Sequence, residues 1–166
     1  MQINLIQSKT LLTRSSGYLK EVCSHSLNPY GGCGYGLSSC GEGCYVRFNP
    51  WLTQGREWGK FVDVKINAGE LYTQTAEKEK TWAHKRSIPF TIFMSSSTDP
   101  WQPAEKKHRV TRAVLQSMMT CSPDALILQT HSASILDDQK TLLELSRLCS
   151  LRIHISIEGD RNHLPG

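Results

Sequence analysis

Three cysteines, Cys33, Cys40 and Cys44, lie within twelve residues in a glycine-rich part of the sequence. Residues 23–50 hold four of the six cysteines and six of the twelve glycines. Because glycine permits positive φ and close backbone approach, this segment is expected to be a loop that wraps a ligand. Thiolates are the usual ligands of iron–sulfur clusters, and three of them would leave one iron of a four-iron cluster open to a further molecule.

Zinc is an alternative metal for the same thiols. A structural zinc site takes four ligands, usually from two C-x₂₋₄-C pairs. Cys40 and Cys44 could form one pair, and Cys23 and His25 are the nearby residues that could complete the site. The spacing alone therefore leaves three interpretations open, which are an iron–sulfur cluster, a zinc site and no bound metal.

The composition limits the class of protein and its compartment. The 166 residues are 39% hydrophobic and 20% charged, which is typical of one globular domain. No stretch is apolar for long enough to span a membrane, and the first thirty residues lack the apolar core of a secretory signal, so we expect a cytoplasmic protein without a membrane partner. Clustered cysteines in that compartment favour metal or redox chemistry over disulfides. Cys121 and Cys149 end helical patterns and are expected to be buried thiols.

Strand and helix patterns alternate after the cysteine-rich loop. Strands are predicted over 61–67, 89–95, 125–130 and 151–157, and helices over 69–85, 103–119 and from Asp137 or Asp138 to about Cys149. Short connections between alternating strands and helices are typical of βαβ units and predict an α/β fold with a parallel sheet, open or closed. Residues 1–22 are expected to be an extended lead-in, and residues 23–166 a core domain.

Two of the strand patterns have one polar face. Residues 61–67 alternate so that Lys65 lies opposite the valines, and residues 151–157 place His154 and Ser156 opposite the isoleucines. A flat parallel sheet that is covered on both sides is apolar on both faces, so the alternation favours a lumen that holds a ligand, with an edge strand as the alternative. Nine residues follow the last strand, too few for a covering helix and another strand, so we expect an incomplete barrel.

Several short blocks, in their order along the chain, resemble the radical S-adenosylmethionine (SAM) proteins related to spore photoproduct lyase. The blocks are NPYGGC at 28–33, CYV at 44–46, FVDVKIN at 61–67, SSTDPWQP at 96–103 with Glu105, THS at 130–132 and the strand end Ser156-Ile157. The resemblance extends over roughly residues 10–160 and depends on the order of the blocks more than on any single block.

The resemblance implies a partial (β/α)₆ barrel, here truncated on its C-terminal side, that binds a [4Fe–4S] cluster and SAM. In this family an electron donor reduces the cluster, SAM is cleaved to methionine and a 5′-deoxyadenosyl radical, and the radical abstracts hydrogen from a substrate in the lumen. Cys33, Cys40 and Cys44 would bind the cluster. The implied cofactor-binding residues lie at strand ends or on a polar strand face, and they are Ser96, Thr98, Asp99, Thr130, Ser156 and Lys65.

The cluster motif departs from the family's usual C-x₃-C-x₂-C. The spacing here is C-x₆-C-x₃-C, and Gly43 stands where the family has an aromatic residue that approaches the adenine, with Tyr45 as the candidate substitute. Residues 96–99 could instead cap the helix that begins near Pro103, and Lys65 could instead be exposed to solvent. The alternative functions are a zinc-binding module without catalytic activity and a truncated, inactive relative.

The sequence leaves the substrate open. The net charge of +4 permits a nucleic-acid partner without requiring one. The photoproduct repair carried out by the relatives suggests a nucleic acid by analogy alone. Substrate contacts in this architecture come from the lumen and from C-terminal parts, so no catalytic residue is assigned.

Overall fold

Two β-sheets and the helices that pack on them form the structure of residues 1–37, 40 and 43–157, which are the residues that the computed structural model describes. The strands are β1 (Gln2–Ile6), β2 (Leu12–Arg14), β3 (His25–Leu27), β4 (Tyr30–Gly31), β5 (Phe61–Lys65), β6 (Thr91–Met94), β7 (Ala125–Thr130) and β8 (Ser150–Ile155). The α-helices are α1 (Pro50–Thr53), α2 (Ala68–His84), α3 (Glu105–His108), α4 (Val110–Met118) and α5 (Gln139–Leu145). Stretches of 3₁₀-helix lie at Gly17–Glu21, Tyr45–Phe48 and Ala133–Asp138. The fold is mixed α/β, and the four predicted strands are β5 to β8.

The larger sheet has five strands in the order β2-β3-β6-β7-β8. Strands β3, β6, β7 and β8 are parallel to one another, and β2 is antiparallel to β3 at one edge. The smaller sheet has the order β1-β5-β4, in which β1 is parallel to β5 and β4 is antiparallel to it. Because neighbouring parallel strands end at the same edge, the carboxyl ends of β6 and β7 lie side by side.

The main core joins the central strands to helices α2 and α4. Its members on β6 and β7 include Ile92, Met94, Leu126 and Leu128, which have no exposed surface. Helix α2 buries a stripe at helical spacing, made up of Ala68, Tyr72, Ala76 and Ala83. Apolar central strands under helices are typical of parallel sheets. This core therefore holds β6 and β7 in place, and with them the segments that follow their carboxyl ends. None of the helices in the described ranges has the length and apolar character that crossing a bilayer requires.

Residues 1–22, expected as a lead-in, contribute strands to both sheets. Strand β1 pairs with β5 along its whole length, and Asn4 Nδ2 donates a 2.8 Å hydrogen bond to Asp63. Strand β2 pairs with β3. The pairing of β1 is hard to foresee because β1 is an edge strand in which Ile3 and Leu5 stay 44% and 59% exposed, so its sequence carries little burial pattern.

The prediction of one continuous helix over 103–119 was wrong, because the chain forms two helices there. The break is at Arg109, which has a left-handed φ of 54°. Buried Glu105 explains the break, since its carboxylate accepts hydrogen bonds from the backbone N–H groups of Thr111 and Arg112 at 3.0 and 3.1 Å. A carboxylate in this position satisfies N–H groups that have no partner within helix α4.

Asp138 stands immediately before α5, where a helix cap was predicted, but its side chain makes no capping hydrogen bond. Its carboxylate instead accepts hydrogen bonds from Trp101 Nε1 at 2.8 Å and from Arg112 Nε. The predicted helix is α-helical over Gln139–Leu145, and the 3₁₀ stretch Ala133–Asp138 precedes it. The ion pair of Asp138 with Arg112 ties helix α4 to the start of α5.

Strand β8 forms an edge of the larger sheet in the part of the chain that the structure describes. Its apolar side chains line a groove together with α5, and Ile153 and Ile155 are 40% and 53% exposed there. The side chains of Arg152 and His154 are exposed as well. In the described residues β8 is thus an edge strand, with its apolar side chains toward α5 and its polar side chains on the opposite face.

Candidate functional site

A cavity of about 260 Å³ lies beside the carboxyl ends of β6 and β7. All three clustered cysteines line it. The wall at the strand ends is made by Ser95, Ser96, Thr98, Asp99, Gln129 and His131. Aromatic side chains, those of Tyr35, Tyr45 and Trp58, line it as well. Because ligands of parallel α/β folds bind at this edge of the sheet, the cavity is the candidate site.

The cavity brings together most of the residues that the sequence predicts for the site. Those that line it are Cys33, Cys40, Cys44, Ser96, Thr98 and Asp99. Thr130 is fully buried behind Asp99 and donates its hydroxyl to that carboxylate. Lys65 lines a neighbouring cavity of about 290 Å³, which shares Thr98 with the first. Ser156 lines neither of these two cavities, and its backbone N–H donates to the Thr130 carbonyl oxygen at 3.0 Å.

Cys33 has the most enclosed of the three thiols. It is 7% exposed and packs with Val46, Trp58 and Phe61 in a small apolar cluster beside the cavity. This burial raises the pKa of the Cys33 thiol to about 11. Cys33 is therefore a neutral thiol near pH 7, and binding a metal there requires the loss of its proton.

Cys40 and Cys44 are partly exposed at the cavity. Cys40 Sγ lies 3.5 Å from Nε2 of His131, which follows β7. Among residues 1–37, 40 and 43–157, no group of three or more His, Cys, Asp or Glu side chains is arranged to hold a metal ion. The three thiols thus border one cavity without forming a closed ligand set.

The loop that carries the first cysteine is held from two sides. Gln102 is fully buried; its Oε1 accepts a 2.7 Å hydrogen bond from the Gly34 N–H, and its Nε2 donates to the Gly32 carbonyl oxygen at 3.4 Å. On another side the backbones of Gly36 and Gly59 touch, because a Cβ added at Gly36 would lie only 2.4 Å from the Gly59 Cα. Only glycine permits this approach, so the loop has a defined path past the cavity.

Asp99 joins the segments that follow β6 and β7. Its carboxylate accepts hydrogen bonds from Thr130 Oγ1 at 2.8 and 3.0 Å, from the His131 N–H at 2.7 Å and from the Trp101 N–H at 2.8 Å. Burial raises the pKa of Asp99, although these hydrogen bonds oppose the shift. Asp99 does not cap a helix, because its local bond is to Trp101 in a turn and α3 has no side-chain cap. The other bonds position the residues at the end of β7.

Lys65 is connected to the same region through Asn28. The Lys65 ammonium donates a 2.7 Å hydrogen bond to the Asn28 carbonyl oxygen. The Asn28 side chain accepts from the Ser97 N–H at 3.1 Å and donates to Ser96 Oγ at 3.3 Å. Burial lowers the pKa of Lys65, and the charge of Asp63 opposes that shift. Lys65 is therefore half-buried next to the serine-rich segment after β6, and it is not the solvent-exposed lysine of the alternative.

Three buried polar atoms around the cavity have no hydrogen-bond partner among the described residues. They are Ser95 Oγ, Thr98 Oγ1 and Trp58 Nε1. Ser95 also has a φ of 73°, which is uncommon for a residue other than glycine. Unpaired buried polar atoms and backbone strain both concentrate at ligand sites. The three thiols fit an iron–sulfur cluster, and the unpaired polar atoms fit a polar molecule bound next to it.

Sequence reasoning missed three residues of this site, which are Gln102, His131 and Trp58. Gln102 and His131 both lie in segments that directly follow a predicted strand, and that position was the available signal. Trp58 carried no such signal. Tyr45, the candidate substitute for the missing aromatic residue of the motif, lines the cavity, and its hydroxyl donates to the Ser96 carbonyl oxygen.

Comparison with known proteins finds one similar sequence, an uncharacterized protein of Methanocaldococcus jannaschii that is 33% identical over 93 residues. The matched segment makes up 55% of this chain and 30% of that protein, so the chain spans less than a third of the relative's length. No family model matches the chain, and no solved structure matches it.

Proposed function

We propose that this chain is a radical SAM protein similar to spore photoproduct lyase, in which Cys33, Cys40 and Cys44 bind a [4Fe–4S] cluster. The proposal is carried by one observation, which is that these three thiols line a single cavity at the carboxyl ends of parallel strands. Cavities at that edge hold the ligands of parallel α/β folds, and three thiolates suit a cluster with one open iron.

The chain's contribution is to bind and orient, because the difficult chemistry belongs to the cofactors. When bound, a reduced cluster would supply the one electron that cleaves SAM to methionine and a 5′-deoxyadenosyl radical. Cys33 gives up a proton when it binds, since burial holds the pKa of the free thiol at about 11. Gln102 keeps the Cys33 loop against the segment after β6, so that thiols and SAM-binding residues stay together.

Ser96, Thr98 and Lys65 are the side chains that we propose to hold the methionine part of SAM. Thr98 Oγ1 is buried without a partner among the described residues. A ligand that forms a hydrogen bond with it would remove the energetic cost of an unpaired buried polar atom. The Lys65 ammonium is half-buried and suits a carboxylate. Asp99 and Thr130 act with them chiefly by fixing the strand ends.

Tyr45 is proposed to take the adenine-facing role, because Gly43 offers no side chain at the family's usual position. The ring of Tyr45 lines the cavity, and its hydroxyl is held by the Ser96 carbonyl oxygen. Ser156 is proposed to support the site indirectly, because its backbone N–H bonds to the Thr130 carbonyl oxygen.

The parallel strands β3, β6, β7 and β8 are proposed to be part of a (β/α)₆ barrel. In this proposal an electron donor reduces the cluster, and the substrate occupies the lumen next to the cavity. The relatives' photoproduct repair suggests a nucleic acid as that substrate, by analogy.

The proposal is tested by anaerobic reconstitution with iron and sulfide. We expect about four iron and four sulfide per chain, a brown protein and an electron paramagnetic resonance signal after reduction. Replacing any one of Cys33, Cys40 and Cys44 by alanine should lower the bound iron sharply. Cys121→Ala and Cys149→Ala are matched controls, because those thiols lie in or against the main core, and they should keep the cluster.

A colourless protein with one zinc per chain would contradict the proposal and favour the zinc-binding module. Equal iron content in the variants of the clustered cysteines and in the two controls would also contradict it, because iron would then be bound elsewhere. A cluster whose paramagnetic resonance signal does not change when SAM is added would contradict the SAM part of the proposal and leave only iron–sulfur binding.

A further inference from the structure

We propose that His131 donates a hydrogen bond from Nε2 to the Cys40 sulfur and thereby makes the cluster easier to reduce, an inference that rests on the proposed function. The two atoms lie 3.5 Å apart, within hydrogen-bonding distance for sulfur. Both residues line the cavity. His131 is thus a positioning and tuning residue and does not itself bind the cluster.

The backbone of His131 is held firmly. Its N–H donates to Asp99 Oδ2 at 2.7 Å, and both Asp99 oxygens are held by the Thr130 hydroxyl at 2.8 and 3.0 Å. The next residue is fixed as well, because the Ser132 N–H donates to Thr130 Oγ1 at 3.0 Å. These bonds fix the backbone position from which the His131 side chain reaches the Cys40 sulfur.

A hydrogen bond to a ligand sulfur stabilises the reduced cluster more than the oxidised cluster. Reduction adds one negative charge, part of which is carried by the thiolate sulfurs, and an N–H dipole that points at sulfur offsets it. The effect is strengthened by the partial burial of Cys40 and of the cavity wall, because a hydrogen bond is electrostatically stronger where water is excluded. Removing the donor should therefore make the cluster harder to reduce.

Cys33 offers a useful contrast. The backbones of Tyr35 and Asp99 act against the burial that raises the pKa of its thiol, and no side-chain substitution removes them. The donor to Cys40 is a side chain and can be changed without altering the backbone of the loop. His131 is therefore the position at which the contribution of a sulfur hydrogen bond can be measured.

The test compares reconstituted wild type with His131→Leu and His131→Gln at one fixed pH. Glutamine keeps an N–H donor of similar reach, whereas leucine keeps only the bulk. We expect His131→Leu to retain the wild-type iron and sulfide content but to have a more negative midpoint potential, and His131→Gln to lie nearer to wild type. His154→Leu, at an exposed histidine of β8, is the control and should not change the potential.

A second measurement does not depend on any variant. In wild-type protein carrying isotope-labelled histidine, pulsed paramagnetic resonance of the reduced cluster should detect a weak nitrogen coupling, as expected for a hydrogen-bonded imidazole. A strong coupling would mean that a histidine binds iron directly, and this would overturn the inference. Equal potentials in wild type and His131→Leu would overturn it too, while leaving the cluster in place. Absence of any cluster in wild type would instead overturn the proposed function, and the inference with it.

Discussion

Gln102 Oε1 accepts a 2.7 Å hydrogen bond from the Gly34 N–H, and this bond joins the cysteine loop to the segment that follows β6 across 68 positions of sequence. Gln102 has no exposed surface, so water cannot replace the bond. The two segments meet at the candidate cavity, one bringing Cys33 and the other bringing Ser96, Thr98 and Asp99. Their contact therefore decides whether the thiols face the residues that we propose to bind SAM.

Gln102→Leu should destabilise the protein and weaken the cluster. The substitution leaves the Gly34 N–H without its acceptor, and an unsatisfied buried polar group costs about 1–3 kcal/mol. We expect a free energy of unfolding lower by that amount in urea, together with less iron retained after reconstitution. Gln74→Leu, at an exposed site of α2, is the matched control and should change neither quantity. Wild-type iron content and stability in Gln102→Leu would show that the loop does not depend on this bond.

Asp99→Ala should weaken SAM binding without loss of cluster iron. Asp99 is not among the thiols, but it fixes Thr130 and His131 at the cavity wall, and the substitution removes all of these bonds. We expect the affinity to fall about tenfold or more, equivalent to the loss of one or two good hydrogen bonds, in calorimetry on reconstituted protein. The control is Asp137→Ala, at a half-exposed site next to α5. Equal affinity in wild type and Asp99→Ala would remove Asp99 from the site.

His25 should make the stability depend on pH below neutrality. Its ring is fully buried between Trp82 and Phe90, with Nε2 3.1 Å from a Glu79 oxygen. Burial lowers the pKa of His25 below 6.5, and the interaction with Glu79 opposes that shift without cancelling it. Between the two pKa values the unfolded state binds the proton first, so stability is lost as the pH falls below 6.5.

The measurement for His25 is the free energy of unfolding from pH 7.5 to pH 5. The wild-type curve should be steeper than that of His25→Gln by up to about 1.4 kcal/mol per pH unit, which is the limit for one proton. The same substitution at exposed His154 should leave the slope unchanged. Parallel curves for wild type and His25→Gln would contradict this account.

Ile155→Lys should reduce self-association. Ile153 and Ile155 are 40% and 53% exposed in an apolar groove along β8, which among the described residues is also an edge of the larger sheet. Exposed apolar surface next to an open edge favours association. We expect the sedimentation coefficient of the wild type to rise with protein concentration. The coefficient of Ile155→Lys should stay at the value of a monomer. A wild-type protein that is monomeric at every concentration would contradict the expectation.

Much of the order of strands and helices after residue 60 could be predicted because its signals are local. Strands β5 to β8 and helix α2 follow from alternation and helical periodicity within single segments. Strand β1 could not be predicted, since its partner β5 lies 59 positions away and its own apolar side chains stay exposed. The break at Arg109 was missed because it depends on the buried carboxylate of Glu105, and burial of a charged side chain is a tertiary effect.

The residues of the candidate site likewise fall into those that the sequence could predict and those that it could not. Cys33, Ser96 and Asp99 could be predicted because cysteine spacing and strand ends are visible in the sequence. Trp58 could not, because it packs on a loop that folds back from far along the chain. Gln102 had the signal of following a predicted strand, but its bond to the Gly34 N–H depends on that same loop. Ser156 was predicted from its strand end, but in the structure its backbone bonds to Thr130 and it lines neither cavity.

The central claim is that the cysteine cavity holds a cluster to which SAM binds directly. The most direct measurement is the electron paramagnetic resonance spectrum of the reduced, reconstituted protein before and after addition of SAM. We expect SAM to shift the signal in wild type, because a ligand at the open iron alters the cluster's electronic structure, and to shift it only at higher concentrations in Asp99→Ala. A wild-type spectrum that stays unchanged at saturating SAM would contradict the account.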